Sequence, residues 1–281
     1  MGDIQKDQSQ VLRRLQLTEL EILRVIDRFC SENQIRYSLY DGTLLGAVRH
    51  KGFIPWDDDL DICMMRDEYD RFLKAWNRCP PEGYLLQNKD NTPAFSQSFS
   101  KIRKKHTTFL QSDWEKGRFH TGIFVDIFPI DRLPEKGSAR KTYQAACMIY
   151  HLFMREFVPE KASRGVRAGA YLLLNMVPKK LRPWVRGRAL RYLTKFDRNE
   201  DCPTVGMETV EWARKPMPPD LHREYVRLPF EDGQFLCFSN WDGLLKAHFG
   251  DYMTPPPESE RVWTHHPLLI DFEHDYEELQ E

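Results

Sequence analysis

Ile35-Arg36-Tyr37-Ser38-Leu39-Tyr40-Asp41-Gly42-Thr43-Leu44-Leu45-Gly46-Ala47-Val48-Arg49-His50, followed after a loop by Asp57-Asp58-Asp59-Leu60-Asp61-Ile62-Cys63-Met64, decides how this chain is read. Residues 35–40 are β-leaning and predict a strand. Residues 44–50 predict a short helix, 52–56 a loop, and 57–64 a return to an apolar strand. Gly42-Thr43 therefore lies between a strand and a helix. Free backbone N–H groups at such a place bind phosphate, and glycine lets the backbone approach closely. The same pair also suits an ordinary helix cap.

Asp57, Asp58, Asp59 and Asp61 crowd into five positions, and such a run is costly unless something positive sits among them. In a strand, Asp59 and Asp61 share one face while Leu60 and Ile62 pack behind. Two carboxylates on one face begin a divalent-cation site with oxygen ligands. A third is at hand in Gly122-Ile123-Phe124-Val125-Asp126-Ile127-Phe128, where Asp126 is the only charge in an apolar run. If the two strands are neighbours, Asp59, Asp61 and Asp126 converge. An EF-hand is excluded, because Ile62 stands where the sharp turn needs glycine and Pro55-Trp56 stands where the entering helix should end. A phosphate cradle facing a carboxylate metal site is the logic of a nucleotidyltransferase-type phosphoryl-transfer centre.

Working outward, Thr18-Glu19-Leu20-Glu21 has the form of a capping box and predicts a helix from Thr18 to near Asn33. Its apolar stripe is Leu20, Ile22, Leu23, Ile26 and Phe29. A second helix is predicted from near Asp67, with Tyr69, Phe72, Leu73 and Trp76 on one side. Residues 96–104 and 122–128 read as further strands. The fold class is α+β, with a small mixed sheet flanked by helices. We divide the chain into a catalytic core at 1–132, a basic helical insert at 133–205, and a C-terminal part at 206–281 that completes the core.

Across 281 residues, 41 Lys+Arg face 42 Asp+Glu, for a formal charge of −1. That balance argues against a wholly basic nucleic-acid coat and against an acidic disordered tail. It conceals a basic stretch, since residues 161–198 hold eleven Lys and Arg against Asp197 alone, a local charge of +10. Tyr171-Leu172-Leu173-Leu174 and Trp184-Val185 interleave with those cations, which suits an interfacial helix on anionic lipid as well as a solvated face. No nucleic-acid reading motif accompanies them, so nucleic acid is not an expected partner. Six scattered cysteines without a C-x-x-C pair read as reduced thiols of an intracellular protein. With no apolar run of the ~20 residues a span needs, the expected location is the cytoplasm, peripheral on the inner face of the cell membrane.

The run from Gly42 to Ile62, with Gly52-Phe53-Ile54-Pro55-Trp56 ahead of the acids, resembles the signature of the LicD family. Phe124-Val125-Asp126-Ile127-Phe128-Pro129-Ile130-Asp131 resembles its second block. Tyr252-Met253-Thr254-Pro255-Pro256-Pro257 with Arg261 and His265-His266 resembles its C-terminal block. The resemblance frames nearly the whole chain except the helical middle. It implies a nucleotidyltransferase-like fold that moves a phosphorylated head group, phosphocholine first among them, from a CDP-activated donor to a glycan hydroxyl of a cell-surface polysaccharide precursor. Teichoic acid and lipopolysaccharide sugars are the acceptors associated with the family, and similar domains in fukutin and fukutin-related protein move ribitol phosphate. Such an acceptor can be lipid-linked.

The resemblance gives Asp59, Asp61 and Asp126 the role of catalytic metal ligands for Mg²⁺ or Mn²⁺, with release of CMP. Asp126 is expected nearest the acceptor, as general base or as a ligand that lowers its pKa. Gly42 and Thr43 are expected on phosphate, and Arg49, His50, Lys101 and Arg103 on phosphate or glycan. Trp56 is expected to floor the donor pocket, and Arg261 and His265 to reach the nucleotide. Asp57 and Asp58 are expected to orient an Arg or Lys. Trp114, Phe119, Tyr252 and Trp263 are the aromatics available to a quaternary ammonium. No Cys–His cluster with zinc-ligand spacing exists, so a zinc insertion is not expected. Two other functions share these features: an NMP transferase that releases pyrophosphate, and a catalytically idle glycan- or lipid-binding protein.

Overall fold

Leu12, Leu15, Leu20, Leu23, Ile26 and Phe29 bury one side of a single long helix, α1 (Gly2–Glu32). The computed structural model describes residues 2–134, 136–158, 162–199 and 202–280, with side chains from Gln8 onward. The helix start expected at Thr18 is overturned. Thr18 Oγ1 bonds back to the Arg14 carbonyl at 2.9 Å, so the hydroxyl is absorbed within the helix and caps nothing. The buried stripe runs about two turns further toward the N-terminus, from Leu20 back to Leu12, and that burial holds the helix together there.

The remaining elements follow in order as β1 (Ser38–Leu39), α2 (Asp41–Arg49), β2 (Asp61–Met65), α3 (Arg66–Arg78), β3 (Tyr84–Gln87), β4 (Ser100–Lys104), β5 (Thr108–Leu110) and β6 (Phe124–Arg132). Then come α4 (Ser138–Arg155), α5 (Arg164–Met176), α6 (Arg182–Leu193), β7 (Val205–Gly206), α7 (Val210–Arg214), β8 (Tyr225–Phe230), β9 (Gly233–Phe238), α8 (Trp241–Phe249) and β10 (Leu269–Asp271). The class is α+β, as the sequence predicts.

Two compact units are present. The first takes the chain up to Asn88, Phe99–Pro129 and everything from Leu221 on; the second takes Lys89–Ser98 and Ile130–Asp220. In the first unit the main sheet has the order β1-β2-β6-β4-β3. Each residue of β2 is buried, so the strand is an unbroken apolar run interrupted only by Asp61 at its start. Strand β1 pairs antiparallel with β2, Leu39 opposite Ile62. Strand β4 pairs antiparallel with β6, Lys101 opposite Asp126. Phe29, Phe72 and Trp76 join α1 to α3, their ring centroids 4.7 to 5.7 Å apart. Two small sheets, β5–β10 and the hairpin β8–β9, complete this unit.

In the second unit, Leu133, Tyr143, Cys147, Tyr150, Met154, Ala189, Leu193 and Ala213 form a core shared by α4, α6 and α7. Helix α5 buries only Ala170 and Leu174. Arg182 closes its C-terminus, donating to the Leu174 carbonyl at 2.7 Å and pairing with Glu156 at 3.0 Å. Lys161, at the head of the basic stretch, lies outside the described residues. Among the described residues no helix is long and apolar enough to cross a membrane.

Candidate active site

The peptide of Asp61 is where the first unit's elements are pinned. Its N–H donates to Thr43 Oγ1 at 2.8 Å, and its carbonyl accepts the Tyr40 N–H at 3.0 Å. One residue back, the Leu60 carbonyl accepts the Asp126 N–H at 3.0 Å. Asp59 and Asp61 thus flank the point where β2 meets Asp126, and Gly42-Thr43 close it from α2. The helix begins three residues earlier than expected, at Asp41, whose φ is +47°. A Cβ at position 42 would stand 2.7 Å from Asp57 Oδ2, so the Asp57 carboxylate would have to shift.

The electrostatics follow from burial. Asp61 and Asp126 are buried and Asp59 is partly exposed. Burial, then repulsion from Asp59 and Asp126, drives the Asp61 carboxyl well above its ordinary value. Asp59 is pushed up to about 6 by burial, with His265 and Lys101 opposing and Asp126 and Asp58 adding to the rise. Asp57 reaches about 8, through burial and then the neighbouring Asp59 and Asp58. Facing these acids are the Lys101 ammonium and the His265 imidazole. Lys101 Nζ sits 2.6 and 2.9 Å from the two oxygens of Asp126 and 3.3 Å from the Phe124 ring centroid. Burial lowers its pKa, against the pull of Asp126.

Lys101 therefore does not reach outward as a phosphate ligand; it neutralises Asp126 from within the sheet. Both oxygens of Asp126 are thereby engaged by the ammonium, whereas Asp59 is left partly exposed. Arg103 shares the strand face with Lys101, but that face is interior. Its Nε donates to Gln87 Oε1 and its Nη1 to the Gly122 carbonyl, each at 2.7 Å. With only 2% of its surface exposed, Arg103 braces the sheet and has no path to a phosphate.

Asp58 is fully buried and orients neither Arg nor Lys. It accepts from the Thr264 N–H at 3.0 Å, the Thr264 hydroxyl at 2.6 Å and the His265 N–H at 3.0 Å. His265 Nδ1 lies 3.4 Å away. Burial raises the Asp58 carboxyl, but these donors outweigh it and bring it to about 2. The latch carries His265 Nε2 to 3.8 Å from Asp59 Oδ2. Among the described residues, the ligand-capable groups already within 4.8 Å of one another here are Asp58, Asp59 and His265, not Asp59, Asp61 and Asp126. The reason is physical: Lys101 holds Asp126, and Asp58 spends its oxygens on the latch.

Beside the acids, Arg49, His50, Trp56 and Arg261 lie together. Arg261 lies over the Trp56 ring at 5.2 Å, and His50 meets the same ring edge-on at 6.3 Å. Arg49 donates to the Tyr252 carbonyl at 2.8 Å, and its pKa is lowered by burial and by Arg261. The aromatics proposed for a quaternary ammonium do not gather into one box. Trp114 and Phe119 pair with each other at 5.9 Å, while Tyr252 is buried with its hydroxyl on Asp242.

Sequence reasoning missed Glu19 and Gln16. Glu19 is 1% exposed, and its carboxyl is driven well up by burial and by the fields of Asp59, Asp57, Asp58 and Asp126. Its Oε2 has no hydrogen-bond partner among the described residues. Gln16 donates to the Asp57 carbonyl at 2.9 Å. The signal was legible, because both are polar residues at stripe positions of α1. A buried surplus of carboxylate oxygens, one orphaned, is chemically suited to a hard divalent cation.

Residues 34–159 match the family described as LicD/FKTN/FKRP, nucleotidyltransferase domain. The chain is 31% identical over 257 residues to the lipopolysaccharide cholinephosphotransferase LicD of Haemophilus influenzae, covering 89% of this chain and 94% of that protein. It is 27% identical over 135 residues to an uncharacterized protein of Rickettsia prowazekii, covering 48% of this chain and 47% of that one. With a relative matched across nearly its whole length, and with the acids of both sequence blocks meeting at one point of the sheet, the chain belongs to the LicD family.

Proposed function

We propose that this chain has a nucleotidyltransferase-like fold and transfers phosphocholine from a CDP-activated donor to a glycan hydroxyl of a cell-surface polysaccharide, releasing CMP. The observation that carries this reading is the backbone junction that sets the buried Asp126 against Leu60, between Asp59 and Asp61, in a chain similar along its length to a lipopolysaccharide cholinephosphotransferase. Work at the inner face of the cytoplasmic membrane, with contact through residues 161–198 and a lipid-linked glycan as acceptor, belongs to the same reading.

Asp59, Asp61 and Asp126 hold Mg²⁺ or Mn²⁺, and when bound the ion supplies neutralisation of charge on the donor diphosphate. The backbone N–H groups at Gly42 and Thr43 bind phosphate oxygens. Arg49 and Arg261 add positive charge, and Trp56 gives a ring face for the cytosine. Asp59 is the partly exposed acid and takes the proton of the attacking hydroxyl. The new bond joins that oxygen to the phosphorus carrying choline, and the bond from that phosphorus to the CMP oxygen breaks. Lys101 holds the Asp126 carboxylate in place, and the Asp58 latch keeps His265 against Asp59.

The test is incubation with Mg²⁺, a glycan acceptor and CDP-choline, CDP-ethanolamine, CDP-ribitol or CDP-glycerol in turn. The expected result is CMP release that is greatest with CDP-choline. Release of pyrophosphate from a nucleoside triphosphate instead would make the protein an NMP transferase, and absence of any turnover would leave a binding protein.

A further inference from the structure

Helix α5 presents more apolar surface than its own unit covers. At about 100° per residue, Ala170 and Leu174 mark the buried edge. The adjoining stripe of Val166, Leu173, Met176 and Leu172 continues apolar but exposed, at 47%, 40%, 68% and 57%. Arg164, Arg167 and Asn175 fall on the opposite flank. Between this helix and α4 runs an apolar groove of about 440 Å³, lined by Met148, Ile149, Leu152, Phe157, Val166 and Leu173. Leu181, just before α6, and Trp184, in its first turn, are also exposed, at 53% and 63%.

The charge around this surface selects its occupant. From residue 162 to 196 there is no acid. Arg164, Arg167, Lys179, Lys180, Arg188 and Arg191 are exposed there, whereas Arg182 and Arg186 are tied to Glu156 and Asp90. A second copy of this chain would set like charges against like, so self-association through this face is disfavoured. An anionic lipid leaflet answers both features, taking apolar side chains into its hydrocarbon and the cations at its phosphates. At thirteen residues, α5 is about 20 Å long, too short to span ~30 Å of hydrocarbon. It can only lie in the interface.

We propose that α5, the groove beside it and the flanking Lys and Arg residues form a membrane-docking surface that inserts into an anionic leaflet, the groove receiving lipid hydrocarbon. The inference deepens the proposed function, since it rests on the acceptor glycan being carried by a membrane lipid.

The experiment is flotation of the full-length chain with vesicles of phosphatidylcholine, with and without phosphatidylglycerol, at low and high salt. Two variants accompany it: Leu172→Ser, Leu173→Ser and Met176→Ser combined, and Arg164→Glu, Arg167→Glu, Lys179→Glu and Lys180→Glu combined. All seven side chains are exposed, so far-UV circular dichroism should match the parent. The parent should bind the anionic vesicles at low salt, release at high salt and ignore neutral ones. Each variant should bind weaker by about tenfold or more, with CMP release on a soluble acceptor unchanged. No binding by the parent, or undiminished binding by both variants, overturns the proposal. So does a dimer in sedimentation that the serine variant dissolves. Vesicle binding without CMP release would instead fault the proposed reaction and leave the docking surface standing.

Discussion

Lys101 and Asp126 stand opposite each other on β4 and β6 and meet in a buried ion pair, with Nζ 2.6 Å from one carboxylate oxygen and 2.9 Å from the other. Together with the His265 imidazole, this ammonium faces a cluster of carboxylates. Removing it by Lys101→Met leaves Asp126 buried and uncompensated, a change worth about 3–5 kcal/mol. Urea unfolding should report that loss, and added Mg²⁺ should restore part of it. A variant as stable as the parent without metal would contradict a stabilising role for this buried pair.

Asp58 binds Thr264 and His265 across 206 and 207 positions of chain. Asp58→Asn keeps the size but loses the charge, and hydrogen bonds to a charged group contribute about 1.5–3 kcal/mol. The sign follows from linkage. A carboxyl held at about 2 in the fold stabilises fully above its ordinary value of about 3.9, and that stability is lost as pH falls toward 2. The variant should therefore lose stability at pH 6 and converge with the parent at the acid end, as read by chemical denaturation across pH.

Glu19 gives the opposite sign. Burial first, and then the surrounding aspartates, raise its carboxyl, so the fold prefers it protonated and stability falls as pH rises. Glu19→Gln mimics the protonated form. Without divalent ions it should stabilise the protein at pH 8 by about 1–3 kcal/mol and change little at pH 4. Destabilisation at both pH values would contradict the burial of this carboxyl among like charges.

Metal and protons compete for the same acids. Asp59 at about 6 and Asp57 at about 8 are more ionised at pH 8 than at pH 6, so Mg²⁺ should raise Tm more at the higher pH. A saturating concentration should give a shift of roughly 5 °C, and Asp61→Asn should remove most of it. An equal shift in that variant would place the ion elsewhere.

A Cβ at Gly42 would meet Asp57 Oδ2 at 2.7 Å. Gly42→Ala should displace Asp57 and the start of α2, lowering kcat by about 10²-fold while the melting temperature changes little. Unchanged turnover would show that the α2 turn does not position the donor.

The acids were legible because each interrupts an apolar run: Asp61 opens a wholly buried strand, and Asp126 is the single charge in 122–128. Which face of β4 looks inward was not. A spacing of two puts Lys101 and Arg103 together, but only tertiary packing decides that their side is the buried one. Thr18 misled for a related reason, since its hydroxyl finds the Arg14 carbonyl inside a helix that burial extends. The role of Asp58 depends on residues more than 200 positions away, and no local pattern carries that. The apolar run at 171–174 was visible, but that Tyr171, Leu172 and Leu173 are exposed on α5 while Leu174 is buried emerged only from the fold.

The most direct measurement follows the head group itself. CDP-choline labelled in its choline-bound phosphate is incubated with Mg²⁺, a lipopolysaccharide-type glycan, and either the parent chain or Asp61→Asn. The account predicts label on the glycan and CMP in equal amounts from the parent, and neither from the variant. Label transfer that persists in Asp61→Asn, or a parent that moves nucleotide and leaves the labelled phosphocholine in the donor, would contradict it.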